Sequence, residues 1–145
     1  MIKIPAFAGN NMNKIEHIGI AVKNLEVSNK VFEALLGEAN YKTEFVESEH
    51  VLTSFFKSGP NKIELLQATD EGSAIAKFIE KKGEGIHHIA FAVDDIEKEL
   101  NRLTKEGFEL IHKTPKKGAD NKLIAFLHPK STNGVLIELC QEIQE

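Results

Sequence analysis

The sequence predicts an α+β fold in which two tandem βαβββ modules form one curved, mixed sheet. Two repeated segments and the glycines that follow each predicted helix support this prediction. Residues 17–25 read HIGIAVKNL and residues 88–96 read HIAFAVDDI, while residues 63–65 and 137–139 both read IEL. Because self-similarity of this kind indicates a duplicated structural unit, the second half of the chain is expected to repeat the first.

Each module is predicted to begin with a strand and a helix. Residues 15–22 and 86–93 alternate branched side chains with small or polar ones, which is the period of a half-buried strand. Apolar residues then recur mostly every three or four positions, as in an amphipathic helix. These residues are Leu25, Val27, Val31, Leu35 and Leu36 in the first module, and Ile96, Leu100 and Leu103 in the second. Asp94 and Asp95 are candidate N-terminal caps, and Gly37 and Gly107 follow the expected helix ends.

Three further strands complete each module. We expect them at about 41–46, 50–57 and 61–67, and again at about 108–112, 122–127 and 134–140. Between the modules, Ile75, Phe78 and Ile79 suit a short linking helix. Neither half of about 70 residues has much core alone. The predicted organisation is therefore an N-terminal extension (1–12) and one domain (13–142), with module 1 at about 13–68, the link at about 69–85 and module 2 at about 86–142.

Composition narrows the class of protein. Lys and Arg total 18 against 22 for Asp and Glu, so no single-sign charge favours nucleic acid as a partner. No segment approaches the ~18 apolar residues that cross a bilayer, and residues 1–12 lack the pattern of a signal peptide. The single cysteine, Cys140, cannot form an internal disulfide. We expect a soluble, cytoplasmic protein that acts without membrane or nucleic acid.

The repeat also preserves four polar residues. Each module has one His at the start of its first strand and one Glu inside its last strand: His17 and Glu64, then His88 and Glu138. A carboxylate in an apolar strand must be neutralised, face a cavity or bind a cation. Two imidazoles and two carboxylates suit cobalt, nickel, zinc, iron or manganese. Any one of these residues alone is typical of a structural role, but their repetition favours a single divalent metal ion between the modules.

Strand parity indicates where this site lies. His17, Gly19 and Ala21 share one face of their strand, and small residues on the same face as each histidine leave space for a pocket. By the same parity, His87 is expected to point to the opposite face from His88.

The other polar residues are predicted to have ordinary roles. His50 and His112 lie in polar surroundings typical of the surface, and His128 before Pro129 suits a turn hydrogen bond, with the pocket wall as the alternative. Cys140 fits a core thiol because no activating partner is evident. A lysine cluster around a glycine-containing loop is typical of solvated surface and could also bind phosphates. Its members are Lys113, Lys116, Lys117, Lys122 and Lys130.

Two segments, EGIHHIAFAVDDIEKEL and AFLHPKSTNGVLIEL, resemble the methylmalonyl-CoA epimerase family, within the paired βαβββ metalloenzymes that include glyoxalase I. The similarity extends over roughly residues 13–142, including HIGIAV, KIELL and SAIAKFIEKKGEG. It implies a glyoxalase-like fold, a homodimer, one divalent ion per chain with cobalt favoured, and epimerisation of an acyl-CoA substrate, methylmalonyl-CoA. The family's metal ligands fall on His17, Glu64, His88 and Glu138.

The implied reaction removes a proton from C2 and returns it on the opposite face. An ion that chelates the thioester oxygen stabilises the enolate, and two acid/base groups are needed, one per face. The resemblance assigns one of them to Glu138. It aligns Thr53 where well-known members carry the second, a Glu. Glu47, Glu49 or a water held by Thr53 are the alternatives, and Lys116, Lys117 and Lys122 are candidates near the CoA phosphates.

Other functions use similar sites. A glyoxalase I-like lyase would act on a glutathione hemithioacetal in a comparable metal site. An extradiol dioxygenase would use two His and one Glu on iron, and the four candidate ligands speak against it. A binding protein of the same fold would hold a ligand without catalysis or metal.

Overall fold

The computed structural model describes residues 12–144, so residues 1–11 of the predicted N-terminal extension lie outside the described part. Within residues 12–144, three helices and eight strands follow one another. They are β1 (Lys14–Ala21), α1 (Leu25–Leu36), β2 (Lys42–Val46), β3 (Val51–Ser58), β4 (Asn61–Ala68), α2 (Ala74–Lys82), β5 (Gly85–Ala92), α3 (Ile96–Lys105), β6 (Lys116–Lys117), β7 (Lys122–Leu127) and β8 (Ile137–Glu142). None of the helices described is long and apolar enough to cross a membrane.

All eight strands belong to one mixed sheet in the order β2-β3-β4-β1-β5-β8-β7-β6. β1 pairs with β4 in parallel, and β5 pairs with β8 in the same way. The two modules meet where β1 pairs antiparallel with β5. The predicted α+β fold of tandem βαβββ modules is therefore confirmed, with the sheet curled into a half-barrel.

In the last strand of each module, successive side chains face alternately the hydrophobic core and the concave side of the sheet. Leu65 and Leu139 are fully buried and pack in clusters with the helices, Leu65 with Leu25 of α1 and Leu139 with Leu100 of α3. Their neighbours Glu64 and Glu138 point to the other, concave face, because successive side chains of a strand alternate. The glutamates that interrupt the two apolar runs thus face the inside of the half-barrel.

Helix α1 packs through fewer of its apolar residues than the sequence predicts. Leu25 is buried, and Phe32 and Leu36 pack against the same cluster. Val27, Val31 and Leu35 are instead exposed, with Leu35 at 70%. The two sets form separate stripes on the helix, and only the stripe through Phe32 faces the sheet.

Helix ends follow the local signals. Asn24, Ser73 and Asp95 cap the three helices, each accepting a hydrogen bond from a backbone N–H of the first turn. Of the two candidate caps of α3, Asp95 is the one used. Gly37 ends α1 in the left-handed conformation at φ 78°, which glycine adopts without the steric cost of a Cβ.

The predicted strand at 108–112 is wrong. Only Leu110 forms a bridge there, to Leu127, and the strand that pairs next to β7 is the two-residue β6. The backbone N–H groups of the segment bond irregularly: Glu109 donates to Ser131 Oγ, and Ile111 donates to the carbonyl of Phe126. The hydrophobic pattern of residues 108–112 therefore belongs to a segment that lies along β7 without a regular ladder of hydrogen bonds.

Residues 118–122, the closing loop, tie the second module to the first. Asp120 lies 2.5 Å from Lys42 Nζ through one carboxylate oxygen and 2.6 Å from Lys62 Nζ through the other. Its backbone N–H donates to Glu44 Oε1 at 2.9 Å. Burial alone would raise the pKa of Asp120, but the hydrogen bonds from Lys42 and Lys62 hold that pKa below its ordinary value of 3.8.

We predict that Asp120→Asn lowers the free energy of unfolding by about 1–2 kcal/mol near neutral pH. Because the pKa is depressed in the folded state, the stabilisation is present above the ordinary pKa and is lost as the pH falls through the lower folded value. Urea unfolding at several pH values measures this, with exposed Asp94→Asn as the control. A difference between wild type and Asp120→Asn that persists unchanged in acid would contradict the prediction.

Candidate metal centre

Two β-bulges in the β1–β5 pair shape the site. The register passes from Ile15 directly to His17 on β1, and on β5 it passes from His88 directly to Ile86. Glu16 and His87 are the residues left out of the ladder. A bulge breaks the alternation of the strand, so a bulged residue and its neighbour can face the same side.

His17 and His88 meet across this strand pair. Their Nε2 atoms lie 3.0 Å apart, and Glu138 Oε1 is 2.9 Å from His88 Nε2 and 3.3 Å from His17 Nε2. All three side chains are about 95% buried. Two imidazole nitrogens and one carboxylate oxygen therefore converge on a single point inside the half-barrel.

Glu64, the fourth predicted ligand, lies on the other side of His17. Its Oε2 is 3.1 Å from Nδ1, the ring nitrogen that faces away from His88. The structure thus brings His17, His88 and Glu138 to a common point and places Glu64 beside them, in contact with the first histidine.

Glu16 was missed by the sequence reasoning and occupies the same side of His17 as Glu64. It is buried, and its Oε1 lies 2.7 Å from His17 Nδ1 while its Oε2 lies 2.9 Å from Lys62 Nζ. Burial alone would raise the pKa of Glu16, but the hydrogen bonds from His17 and Lys62 lower that pKa to about 2. Glu16 is therefore a carboxylate that links the site to the Lys62–Asp120 ion pair.

The charges at the centre are arranged around His17. Burial alone would lower the pKa of His17, but the carboxylates of Glu64 and Glu138 raise it to about 10. Burial raises the pKa of Glu64 to about 7. Burial also favours protonated Glu138, yet the charge of His17 and hydrogen bonds from both histidines hold the Glu138 pKa well below its usual range. The cluster thus requires a positive charge, which either a proton or a cation can supply.

His87 lines the cavity, contrary to the parity prediction, because the bulge turns it to the side of His88. Its Nδ1 lies 2.9 Å from His88 Nδ1, and its ring packs edge-on against Phe78. Burial and the neighbouring His88 lower the pKa of His87 to about 4. His87 is therefore neutral near neutral pH and offers a ring nitrogen to His88.

A cavity of about 250 Å³ opens above the centre. Its walls come from both modules, with Val46, Leu66 and Ile75 on one side and Ile124 and Phe126 on the other. Apolar walls around a few convergent polar groups are typical of small-molecule sites. The space that the small residues of β1 and β5 predicted is thus present.

Gly19 gives His88 its room. A Cβ built on Gly19 would lie 2.2 Å from His88 Cε1 and 2.6 Å from His88 Nδ1. No real Cβ approaches a ring so closely, so any larger residue at this position would displace the imidazole.

Thr53 also faces the cavity. It is only 1% exposed, and its Oγ1 has no hydrogen-bond partner among the described residues. Glu49 lines the same cavity and contacts Lys116, whereas Glu47 is exposed. The two glutamates do not share a face because residues 47–49 form a 3₁₀ turn.

The remaining polar residues have mostly the ordinary roles that the sequence predicts. His128 accepts a hydrogen bond from Lys130 N, as a turn residue should, and His50 is exposed. Cys140 is buried, and burial raises the pKa of its thiol, so it is an inert core cysteine at the cavity wall. His112 was predicted to be a surface residue, which is wrong: it lines the cavity, and its Nδ1 accepts from Phe126 N.

The five lysines predicted to form one cluster have different surroundings in the structure. Lys122 is buried at the cavity wall, close to Asp120 and Glu142, while Lys116 pairs with Glu49. Lys113, Lys117 and Lys130 are exposed.

The fold agrees with that of similar proteins. The model of the Glyoxalase/Bleomycin resistance protein/Dioxygenase superfamily matches residues 16–126. An ethylmalonyl-CoA/methylmalonyl-CoA epimerase of Cereibacter sphaeroides is 41% identical over 133 residues, which are 90% of this chain and 98% of that protein. The chain belongs to the methylmalonyl-CoA epimerase family.

Two further relatives extend this comparison. The crystal structure of methylmalonyl-CoA epimerase from Mycobacterium tuberculosis has a TM-score of 0.89 and 32% sequence identity, and the match covers 94% of this chain and 93% of that one. The uncharacterized protein YqjC of Bacillus subtilis is 42% identical over 130 residues, 90% of this chain and 93% of the relative.

The residues present could hold a metal ion. Donor atoms bound at about 2.1 Å and at right angles to one another lie about 3.0 Å apart. The separations among His17 Nε2, His88 Nε2 and Glu138 Oε1 are 2.9–3.3 Å. Glu16, His17 and Cys140 form a second close group, but a thiol whose pKa is raised by burial is a poor ligand.

We predict that Gly19→Ala weakens metal binding by about tenfold to a hundredfold, because relieving the clash costs about 1–3 kcal/mol at His88. Titration with Co²⁺, followed by its visible absorption, measures the dissociation constant. Gly72→Ala is the matched control, since its added Cβ meets only the end of the Asp70 side chain at 3.3 Å. Equal affinity of Gly19→Ala and Gly72→Ala would refute the prediction.

Proposed function

We propose that this protein epimerises methylmalonyl-CoA, with one divalent ion held by His17, His88 and Glu138 and with Glu64, which now contacts Nδ1 of His17, as the fourth ligand. The observation that carries the proposal is the convergence of two Nε2 atoms and one carboxylate oxygen at the base of a partly apolar cavity. The family supports it, since relatives about 41% identical are named as epimerases of this acyl-CoA. A solved relative is described as a complex with methylmalonyl-CoA and NH4⁺.

Glu138 is the proposed acid/base residue for one face of C2. Its carboxylate lies beside His17 and His88 in the lining of the cavity, where it is placed to take a proton from a bound substrate. An ion bound beside it would supply stabilisation for negative charge on the substrate's carbonyl oxygen. Cobalt remains the expected metal, with nickel, manganese, zinc or iron as alternatives.

For the opposite face we propose a water held by Thr53. Thr53 is on β3, in the first module, while Glu138 is on β8, in the second, so the two approach the cavity from different halves of the sheet. The Thr53 hydroxyl is buried and has no protein partner among the described residues, which leaves it available to bind a water or the substrate. Glu49 is the weaker candidate because its carboxylate is engaged by Lys116.

The surroundings of the cavity suit a thioester substrate. Apolar side chains from both modules line the cavity and would limit the access of water to a bound substrate's reacting carbon, which favours proton transfer between fixed groups. Lys122 is a basic residue at the wall, and we retain it as a candidate near the CoA phosphates with Lys116 and Lys117. A homodimer and a cytoplasmic location stay predictions.

A glyoxalase I-like lyase is the main alternative within this superfamily, and a binding protein of the same fold is the non-catalytic one. Activity with methylglyoxal and glutathione, together with a silent CoA assay, would favour the lyase. An inability to bind any divalent ion would favour the binding protein. The buried and mutually contacting charges of His17, Glu64 and Glu138 argue against purely structural roles, since such groups cost stability when they have no cation.

We predict that the protein exchanges the C2 proton of methylmalonyl-CoA with deuterium from solvent, and that a chelator stops this exchange. Glu138→Gln should slow exchange by about 10²–10⁴-fold, because the amide cannot accept the proton. Mass spectrometry of the recovered thioester measures the exchange. Glu142→Gln, on the same strand but exposed, is the matched control.

Metal analysis completes this experiment. The wild type should retain about one equivalent of divalent ion, and His88→Ala should retain far less. Absence of metal from the wild-type protein at every divalent concentration, with exchange unaffected by chelator, would overturn the proposed mechanism.

We predict a different defect for Thr53→Val, which keeps the shape of the side chain and removes its hydroxyl. Exchange at one epimer should continue through Glu138, whereas conversion between epimers should slow by about tenfold or more. Chiral analysis of product formed in deuterated water separates the two rates. If inversion and exchange fall equally, Thr53 does not serve the second face.

A further inference from the structure

We propose that Glu16 and His87, which directly precede the two histidine ligands, are positioning residues that fix each imidazole with its Nε2 directed at the ion. This inference rests on the proposed metal site. Neither residue needs to contact the ion or the substrate, because each acts through the ring next to it.

The backbone places the two residues equivalently. The β1–β5 pair contains two bulges, and the residues omitted from the ladder are Glu16 in one strand and His87 in the other. In each case the bulged residue comes immediately before the histidine. Each bulge therefore turns two consecutive side chains into the half-barrel, one as ligand and one as its neighbour.

Glu16 holds His17 at the ring nitrogen opposite the centre. Its Oε1 is 2.7 Å from Nδ1, and its Oε2 is 2.9 Å from Lys62 Nζ. When Nε2 binds a metal, Nδ1 carries the proton, so His17 donates to the Glu16 carboxylate. Lys62 also lies 2.6 Å from Asp120, and this contact restrains Lys62 and, through it, Glu16.

His87 holds His88 in the same way with a neutral acceptor. The two Nδ1 atoms are 2.9 Å apart, and the ring of His87 packs edge-on against Phe78 at 5.0 Å. When Nε2 of His88, which faces Glu138 and His17, binds a metal, Nδ1 carries the proton and donates to His87. Phe78 and the bulge keep His87 in place.

This arrangement has a clear physical function. A metal-bound histidine usually donates its second N–H to a carboxylate or another acceptor, which fixes the tautomer and the ring orientation, and loss of that acceptor typically costs about 10–100-fold in metal affinity or activity. Here the acceptors differ: His17 donates to a carboxylate, and His88 donates to an imidazole. A negative acceptor strengthens the donor power of the histidine more than a neutral one does. Removal of Glu16 should therefore have the larger effect.

The test is metal binding by variants that remove or keep each acceptor. Glu16→Leu and His87→Phe remove the acceptor, while Glu16→Gln and His87→Asn keep an oxygen near the same place. Co²⁺ affinity is measured by competition with a chelating indicator, and the visible spectrum of bound Co²⁺ reports the geometry. We expect affinity to fall about 10–100-fold in Glu16→Leu and less in His87→Phe, with altered spectra.

The conservative variants separate positioning from general stability. His87→Asn should restore most of the affinity and the wild-type spectrum, and Glu16→Gln should lie between wild type and Glu16→Leu because it keeps the acceptor and loses the charge. Where Glu16→Leu fails to fold, Glu16→Gln carries the test by itself. The controls are Glu33→Gln on α1 and His50→Asn, both exposed and outside the site.

Three outcomes decide the inference. Weaker Co²⁺ binding with unchanged metal-free thermal stability supports it. Wild-type affinity and spectrum in Glu16→Leu and His87→Phe would overturn it while leaving the proposed function intact. A wild-type protein that binds no Co²⁺ would overturn both together.

Discussion

The antiparallel pairing of β1 with β5 is the contact on which the rest of the structure depends. It joins the two modules, and the regular stretch between its two bulges places the Nε2 atoms of His17 and His88 3.0 Å apart. Gly19 stands opposite His88 in this ladder and must remain small for the two rings to meet. The parallel partners β4 and β8 then add Glu64 and Glu138 on either side. One strand pair thus determines both the joining of the modules and the position of the centre.

Most of the fold could be predicted from the sequence because the repeated segments form equivalent strands in the two modules. The Ile-Glu-Leu segments became β4 and β8, with leucine toward the helix and glutamate toward the cavity. Predictions failed where one apolar pattern is compatible with two structures. Leu35 continues an apolar stripe of α1 that remains exposed, and residues 108–112 lie along β7 without forming a regular strand.

The candidate site was predictable as a set of repeated polar residues but not as a geometry. Strand parity predicted correctly that His88 faces the cavity and wrongly that His87 faces the other side. A pattern of alternating residues does not reveal a bulge. Glu16 was missed for the same reason, although the polar residue before each histidine was a usable signal. Lys62 and Asp120 could not have been linked from sequence, since the closing loop brings together residues that are 58 positions apart. His112 reached the cavity through the same irregular segment that failed to form a strand.

The closing loop has a consequence for association between molecules. An open sheet presents unpaired backbone groups along both of its outer strands, and such edges invite further strands to add. Here β6 is only two residues long, and the loop that follows it crosses to Lys42 and Glu44 of β2. Charged side chains of β2, at one edge of the sheet, are therefore bound by the loop next to β6, at the other edge. Loss of Asp120 would remove a cross-link beside both edge strands, so in a concentrated sample we expect more strand-mediated aggregation.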